Sequence, residues 1–344
     1  MPTVRWKTEV DCSEPSIIAR DQILEIIEDG RIASSVEIQF LKSEDCTSEW
    51  RQWDDIDVVG VIVDRNSPIV HAGRPHLFSL DPDVKNVALL SGEILKPRDI
   101  DVISKCDEMW VTPGKTSARL ADSGIPPEKV KLVVPRAHVV PHKDVVGLMP
   151  TGRLTFFCHE EWRDIKGVEC FVRAWLRNDT LADCQLNLSI RDQDIGTMRS
   201  WASILRMEEG RDGDSHGISI IAKRSAPILD TCLAQSDVVV CAHTTDIGWR
   251  PYAAKALLLG KFLISSTAGD ITKQVSECRW VPAPDLSGVL PTSRERSLKS
   301  MTESFENALS EGFDPTGQGA FRIPGADFVE VCRERSAALT SGGM

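Results

Sequence analysis

The chain lacks several patterns that would place it in a common class of protein. No apolar run approaches the roughly 20 residues needed to cross a bilayer. The N-terminal sequence MPTVRWKTEVDCSEP has no apolar core of a secretory signal. The ten cysteines form no CxxC pairs, which favours reduced, buried thiols over zinc sites or disulfides. We therefore expect a protein without a membrane span in the cytoplasm, or in the host cytoplasm if the chain is viral.

Two phosphate-binding motifs are also absent. The string PGKTSA, Pro113–Ala118, has the end of a P-loop, but the first glycine of that motif would fall on Met109. No GxGxxG fingerprint follows the first predicted strand, which argues against a classical dinucleotide-dependent dehydrogenase. The net charge of −11 disfavours a broad, nonspecific nucleic-acid surface, although it allows a local basic cleft.

The chain does contain a regular alternation of strand and helix patterns. With 344 residues, 42% of them hydrophobic and 26% charged, it is expected to form two globular domains. Short apolar runs alternate with helical patterns, which predicts α/β architecture with parallel sheets and helices on both faces. The predicted strands are Thr3–Lys7, Val36–Phe40, Ile56–Val63, Val87–Leu90, Glu108–Thr112, Val130–Val134, Leu154–Cys158, Leu186–Ile190, Ile218–Ala222, Val238–Cys241, Phe262–Ser265 and Trp280–Pro282.

The alternation lapses between Ala137 and Gly152, where two prolines and no clear period indicate a linker. We therefore predict a Rossmann-like domain at residues 1–140, a linker at 141–152 and a second Rossmann-like domain at 153–315. A tail with a helix at 316–344 could cross back to the first domain. Two doubly wound domains joined by one linker would face each other across a cleft, and such clefts hold small ligands.

The segment Asp237–Gly269 is the most informative part of the second domain. It predicts a buried strand, a polar loop, a helix opened by Pro251 and closed by Gly260, and another strand. A loop that follows a parallel strand and leads into a helix N-terminus is where α/β folds bind phosphates and sugars. We therefore expect the ligand site in this loop.

Three segments, in this order, resemble the GT-B glycosyltransferases, and most closely the family 4-like retaining enzymes with an E-x7-E motif. They are DEMWVTPGKTSARLADSGIPPEKVKLVVP (Asp107–Pro135), LTFFCHEEWRDIKGVECFVRAW (Leu154–Trp175) and SDVVVCAHTTDIGWRPYAAKALLLGKFLIS (Ser236–Ser265). The resemblance implies a hexosyltransferase that moves a sugar from a UDP- or GDP-sugar, with retention and without a metal or other cofactor. The donor would bind the second domain and the acceptor the first.

The acceptor and the oligomeric state stay open at this point. A glycan, a protein, a small molecule and a modified DNA base, as in some phages, are all candidate acceptors. A single flipped base needs only a local basic patch, so the acidic net charge does not exclude the last of these.

Two cations follow the first strand of the second domain. The resemblance assigns Lys166, in the family's KG motif, and Arg163 to the departing diphosphate, whose charge such cations neutralise. The alternative is a solvated helix face, on which the cations lie beside Glu160, Glu161 and Asp164.

The glutamate pair of the family is altered in this chain. Counting back from Gly260 places the two glutamates at 247 and 255, but the chain has Asp246 one position early and Lys255 at the second position. A lysine cannot accept hydrogen bonds from the donor ribose, so Lys255 would contact phosphate or point to solvent. The altered pair supports a second hypothesis, a catalytically degenerate GT-B protein that acts as a binding or scaffold module.

The remaining candidate residues follow from their positions in the resemblance. Those assigned to the donor are Arg224, His243, Gly248, Trp249, Gly269 and Asp270. Those assigned to the acceptor side are Ser16 and Glu93, although a lone loop carboxylate such as Glu93 is as compatible with simple solvation. The histidines at 138, 142 and 243 have no partners at metal-ligand spacing, so we expect no metal site.

Overall fold

The computed structural model describes residues 3–8, 14–29, 33–38, 65–91, 95–112, 116–133, 135, 137, 139, 153–161, 165–191, 195–211, 217–221, 226–244, 250–266, 279–280 and 291–310. The chain divides into two compact units, the first mainly Met1–His138 and the second mainly Val139–Asp246 and Tyr252–Arg322. The predicted strand Ile56–Val63, linker 141–152 and tail 316–344 lie outside the described residues. The domain boundaries therefore stay predictions.

The first unit contains a parallel sheet whose described strands lie in the order β2-β1-β3-β4-β5-β6. These strands are β1 (Thr3–Thr8), β2 (Ala33–Ile38), β3 (Ile69–Ala72), β4 (Asn86–Leu90), β5 (Glu108–Val111) and β6 (Val130–Leu132). The helices are α1 (Glu14–Asp29), α2 (Pro97–Ile103) and α3 (Thr116–Asp122). A core between β4, β5, α2 and α3 includes Leu90, Ile103, Val111 and Leu120, all essentially inaccessible to solvent.

The strand β3 is absent from the sequence prediction. All four of its residues are buried, so the period-2 alternation that marks a half-exposed strand does not occur. Its third residue, His71, is polar, and its Nε2 lies 3.0 Å from Oδ1 of Asn86 on β4. A short buried strand that contains a hydrogen-bonded histidine does not stand out as an apolar run.

The second unit contains a parallel sheet in the order β12-β11-β10-β7-β8-β9. Its strands are β7 (Thr155–Glu161), β8 (Gln185–Arg191), β9 (Gly217–Ile220), β10 (Val238–Cys241), β11 (Phe262–Ser265) and β12 (Arg279–Trp280). Its helices are α4 (Ile165–Arg177), α5 (Ile195–Glu208), α6 (Ala226–Gln235), α7 (Pro251–Leu258) and α8 (Pro291–Ser310). The predicted α/β class, with two Rossmann-like units, is confirmed.

Aromatic side chains pack helices against both faces of the second sheet. On one face, the ring of Phe156 meets Trp175 of α4 edge-on at 4.8 Å, and Phe171 of α4 meets Phe305 of α8 at 5.4 Å. On the opposite face, the next residue of β7, Phe157, meets Tyr252 of α7 at 5.9 Å. The alternation of neighbouring strand residues between faces thus produces a three-layer unit.

In each sheet, an aspartate just before one interior strand makes the same pair of hydrogen bonds to the start of the neighbouring strand. The N–H of Asp107 donates to the carbonyl of Asn86 at 2.8 Å, and its Oδ2 accepts the N–H of Asn86 at 2.8 Å. Asp237 makes the corresponding pair of bonds with Thr155, at 2.9 and 2.8 Å. These bonds satisfy backbone groups that would otherwise be left unpaired where the strands begin.

The six described cysteines are free and buried, as the sequence predicts for structural thiols. They are Cys106, Cys158, Cys170, Cys184, Cys232 and Cys241. Burial raises the pKa of the Cys106 thiol to about 12, so this group stays protonated and unreactive near neutral pH.

A network of ion pairs joins α4 to α5 and α8. Arg173 reaches Glu169 at 3.0 Å and Glu209 at 2.7 Å, and Arg177 reaches Glu209 at 2.6 Å and Glu306 at 3.0 Å. Burial alone would raise the pKa of the Glu169 and Glu209 carboxyls. The hydrogen bonds from Lys166, Arg173 and Arg177 outweigh that effect, and the pKa of both carboxyls is lowered.

We expect acid to weaken this network. The stabilisation from carboxylates with a lowered pKa is complete above about pH 4.3, the pKa of an unfolded glutamate, and is lost as the pH falls through their folded pKa. Glu209→Gln should therefore reduce the pH dependence of the free energy of unfolding between about pH 5 and pH 3, measured by urea denaturation. The control is Glu303→Gln, at an exposed position of α8. Equal slopes for the two variants would contradict the expectation.

Candidate functional site

The order of strands in the second sheet identifies one crevice. The chain builds β7, β8 and β9 outward in one direction, and then returns to the other side of β7 to build β10, β11 and β12. The switch point therefore lies between β7 and β10, which pair in parallel. In open α/β sheets, ligands bind at the carboxyl ends of the two strands at such a point.

A buried carboxylate and a buried imidazole meet at this switch point. Glu160 lies at the carboxyl end of β7, and His243 follows β10 by two residues. His243 Nδ1 lies 3.8 Å from Glu160 Oε1, with 3% and 4% of the two side chains exposed. Removing these two groups from water costs free energy unless well-placed partners compensate for the lost solvation. Buried acid–base pairs of this kind are typical of functional sites.

The environment of Glu160 differs from the solvated helix face considered from the sequence. The strand β7 continues three residues beyond the predicted end at Cys158, so Glu160 lies in the sheet and not on the following helix. It shares a face with Cys158, and the pKa of that thiol is raised first by burial and then by the Glu160 charge. Glu160 is therefore a buried strand residue and takes no part in a solvated helix face.

The backbone of His243 is held by Ser266, which follows β11. The Ser266 hydroxyl accepts the His243 N–H at 2.8 Å and donates to the His243 carbonyl at 2.5 Å. Ser266 is completely buried, and its own N–H donates to Cys241. No sequence signal identified this serine or Glu160 as part of the site.

The N-terminal turn of α4 packs directly on the same backbone. A Cβ added to Gly167 would lie 2.8 Å from the carbonyl carbon of Ala242, closer still to its oxygen, and 3.2 Å from the carbonyl carbon of His243. Only glycine permits this approach. The glycine of the KG pair therefore brings the first turn of α4, the positive end of the helix dipole, to the switch point.

Lys166 lies in the same helix turn, and its side chain is half exposed. Its Nζ lies 2.7 Å from Glu169 Oε2, and 48% of its side chain is accessible to solvent. An exposed i,i+3 ion pair is weak, on the order of 0.5 kcal/mol, so an anionic ligand can compete for this ammonium group. The assignment of Lys166 to a diphosphate stays a prediction.

Lys255 is completely buried on α7. Its Nζ donates to Asp230 Oδ1 on α6 at 2.8 Å, neither side chain is exposed, and the ammonium lies 5.5 Å from the centre of the Tyr252 ring. The alternative in which Lys255 points to solvent is therefore wrong. A buried carboxylate stabilises the ammonium, so this residue connects two helices of the unit. Its assignment to donor binding stays a prediction.

A second polar group lies on the α7 face of the sheet. His159 of β7 has its Nδ1 2.9 Å from Ser189 Oγ on β8, and its ring meets Tyr252 edge-on at 4.8 Å. His159 is partly exposed, one residue before Glu160, so the end of β7 directs polar side chains to both faces of the sheet.

The other candidate residues cannot be placed in the same detail. Ser16 lies within α1 of the first unit. The candidates that lie outside the described residues are Glu93, Arg163, Arg224, Asp246, Gly248, Trp249, Gly269 and Asp270. Their roles stay predictions.

The described ranges contain no group of three or more histidine, cysteine, aspartate or glutamate side chains arranged to hold a metal ion. None of the helices described is both long and apolar enough to span a bilayer.

Comparison with known proteins shows the fold. No family model and no curated protein sequence matches the chain. Among solved structures, Anabaena Alr3699/HepE in complex with UDP-glucose is similar over 99% of both chains, with 10% identity and a TM-score of 0.57. A glycosyltransferase from Rickettsia africae is similar over 99% of both chains, with 10% identity and a TM-score of 0.54. The UDP-GlcNAc 2-epimerase of Neisseria meningitidis bound to UDP-GlcNAc is similar over 98% of this chain and 100% of its own, with 11% identity and a TM-score of 0.59. The chain has the GT-B fold.

The contact at Gly167 generates a stability prediction. In a helix, Gly→Ala ordinarily stabilises by up to about 1 kcal/mol. For Gly167→Ala we expect net destabilisation instead, on the order of 1–3 kcal/mol, because the new Cβ meets backbone that cannot rotate away. The matched control is Gly196→Ala, at an exposed position in the first turn of α5, which should be neutral or stabilising. Urea denaturation measures both, and equal midpoints would contradict the proposed close packing.

The buried ion pair generates a second prediction. Lys255→Met should destabilise the protein by about 3–5 kcal/mol, because it leaves the Asp230 carboxylate buried without its ammonium partner. The double variant Lys255→Met with Asp230→Leu should recover a large part of that loss, since neither charge remains. A double-mutant cycle from urea denaturation measures the coupling. Additive losses would show that the pair contributes little.

Proposed function

We propose that this chain is a glycosyltransferase that binds a nucleotide sugar at the switch point of its second unit. The observation that carries the proposal is the buried Glu160–His243 pair at the carboxyl ends of β7 and β10, beside the N-terminus of α4. A carboxylate and an imidazole can exchange hydrogen bonds with sugar hydroxyls. A helix N-terminus favours the negative charge of a diphosphate.

In the proposed reaction, Lys166 moves from Glu169 to the diphosphate. The bond between the anomeric carbon and the diphosphate oxygen breaks, and the nucleoside diphosphate leaves with the electron pair. The acceptor hydroxyl oxygen forms the new bond to the anomeric carbon, and its proton passes to the departing diphosphate oxygen. A cation at the leaving group stabilises the charge that develops there, which is the main electrostatic demand of the step.

The solved structures of similar fold suggest which nucleotide sugar to test first. Two of them are described with UDP-glucose and UDP-GlcNAc respectively. We therefore propose a UDP-sugar as donor, with GDP-sugars as the competing class. On the sequence resemblance we also propose membership of the family 4-like enzymes, retention of configuration and a reaction without a metal.

One observation favours the second hypothesis, a binding module without transfer activity. The position of the second glutamate of the E-x7-E motif is Lys255, whose ammonium is bonded to Asp230 inside the protein. If the carboxylate at that position is indispensable for transfer, the chain would bind a nucleotide sugar and leave it intact.

Donor binding is tested by titrating the protein with UDP-glucose, UDP-GlcNAc and GDP-mannose in a calorimeter. We expect one UDP-sugar to bind, and Lys166→Ala to weaken that binding on the order of tenfold, because a charge-assisted contact to phosphate is lost. Lys299→Ala, at an exposed position of α8, is the matched control and should bind as the unaltered protein does. If none of the three nucleotide sugars binds, the proposal is wrong.

The fate of the bound donor distinguishes the functions. Proton and phosphorus NMR of a long incubation should show a released nucleoside diphosphate and free or transferred sugar, and Asp246→Ala should suppress this release. An intact donor would favour the binding module, and a donor with altered sugar configuration would indicate an epimerase.

A further inference from the structure

We infer that Ser266 is a positioning residue of the donor site, which sets the place of His243 at the switch point. The inference rests on the proposed function, because it assigns His243 to the donor. The sequence pattern does not single out Ser266, and the role inferred for it can be separated from a general effect on stability.

Ser266 makes two hydrogen bonds to the backbone of one residue. A serine hydroxyl has one proton to donate and lone pairs to accept with. Ser266 uses both on one residue, with the His243 N–H as donor at 2.8 Å and the His243 carbonyl as acceptor at 2.5 Å. Two bonds to the N–H and C=O of the same residue restrict rotation on both sides of its Cα.

The contact between Ser266 and His243 lies at the carboxyl ends of β10 and β11. Cys241 and Ser265 are the last paired residues of β10 and β11, and one further bond joins the Ser266 N–H to the Cys241 carbonyl. Beyond these last paired residues, the Ser266 side chain makes the hydrogen bonds that join the two chain segments. His243 lies two residues beyond the end of β10, between β10 and α7 in the sequence.

His243 is also held by contacts on its other sides. Its ring faces Glu160 on β7 at 3.8 Å, and its carbonyl carbon lies against Gly167 of α4. The strands β7 and β11 flank β10 on opposite sides, so the histidine is fixed between them. Removing the Ser266 hydroxyl would release the backbone on one side and let the imidazole shift relative to Glu160.

The chain offers a matched control for this serine. Ser236 is also fully buried and also donates to a backbone carbonyl, that of Leu233 at 2.8 Å. It lies before β10, at the opposite end of the strand from His243. Ser236→Ala therefore removes a comparable buried hydroxyl from the same sheet without touching the switch point.

The test compares Ser266→Ala with Ser236→Ala. We expect the first to raise the Kd for UDP-glucose on the order of tenfold and to speed hydrogen exchange at the His243 amide, because two hydrogen bonds to that residue are lost. The second should change neither quantity, although both variants lose some thermal stability. Equal effects of the two substitutions on Kd would overturn the inference about Ser266 and leave the proposed function standing.

A measurement on the unaltered protein keeps the inference testable if Ser266→Ala does not fold. Addition of UDP-glucose should shift the amide resonance of His243 and slow its exchange. UDP-glucose binding that leaves the His243 amide unchanged would overturn the inference alone. Failure of all the nucleotide sugars to bind would overturn the proposed function and the inference together.

Discussion

The close approach of α4 to the backbone that follows β10 is the constraint on which the rest of the second unit depends. Gly167 leaves no space for a side chain between the helix and the carbonyl groups of Ala242 and His243. This contact fixes the height of α4 over the sheet, and the helix in turn carries Phe171 and Trp175 into the core. The same residue thus sets the packing of the core and the distance between a helix N-terminus and the switch point.

Polar side chains can be buried at the switch point because the surrounding backbone is held by hydrogen bonds and close packing. A carboxylate and an imidazole taken out of water lose solvation that only well-placed partners restore. Ser266 holds the histidine backbone, and the pairing of β7 with β8 holds Glu160 opposite Ile190. On the opposite face, the Lys255–Asp230 pair joins α7 to α6, so the helix that follows the loop is also fixed. The site is therefore preorganised by groups that need not touch a ligand.

The fold was predictable from the sequence because apolar runs, prolines and glycines mark the ends of its elements. Pro251 and Gly260 bound α7 in the structure, and Gly260 has a φ of 64°, as a helix C′ glycine requires. The strand β3 has no recognisable alternation because both of its faces are buried, and the apolar part of β7 does not reveal that the strand continues to Glu160. Neither the burial of Lys255 nor the two hydrogen bonds of Ser266 could be predicted, since both depend on partners distant in the sequence.

These two failures have the same physical origin. A local pattern reports the preference of a residue for water or for the protein interior, and it cannot report a partner that folding brings close. Lysine is ordinarily exposed, yet a carboxylate 25 residues away makes the interior acceptable to Lys255. Serine is also usually exposed, yet the backbone of His243, 23 residues away, makes two hydrogen bonds with the buried Ser266. Buried polar side chains are accommodated by partners that only the folded chain brings close, and the partners of Ser266 lie at the switch point of the second sheet.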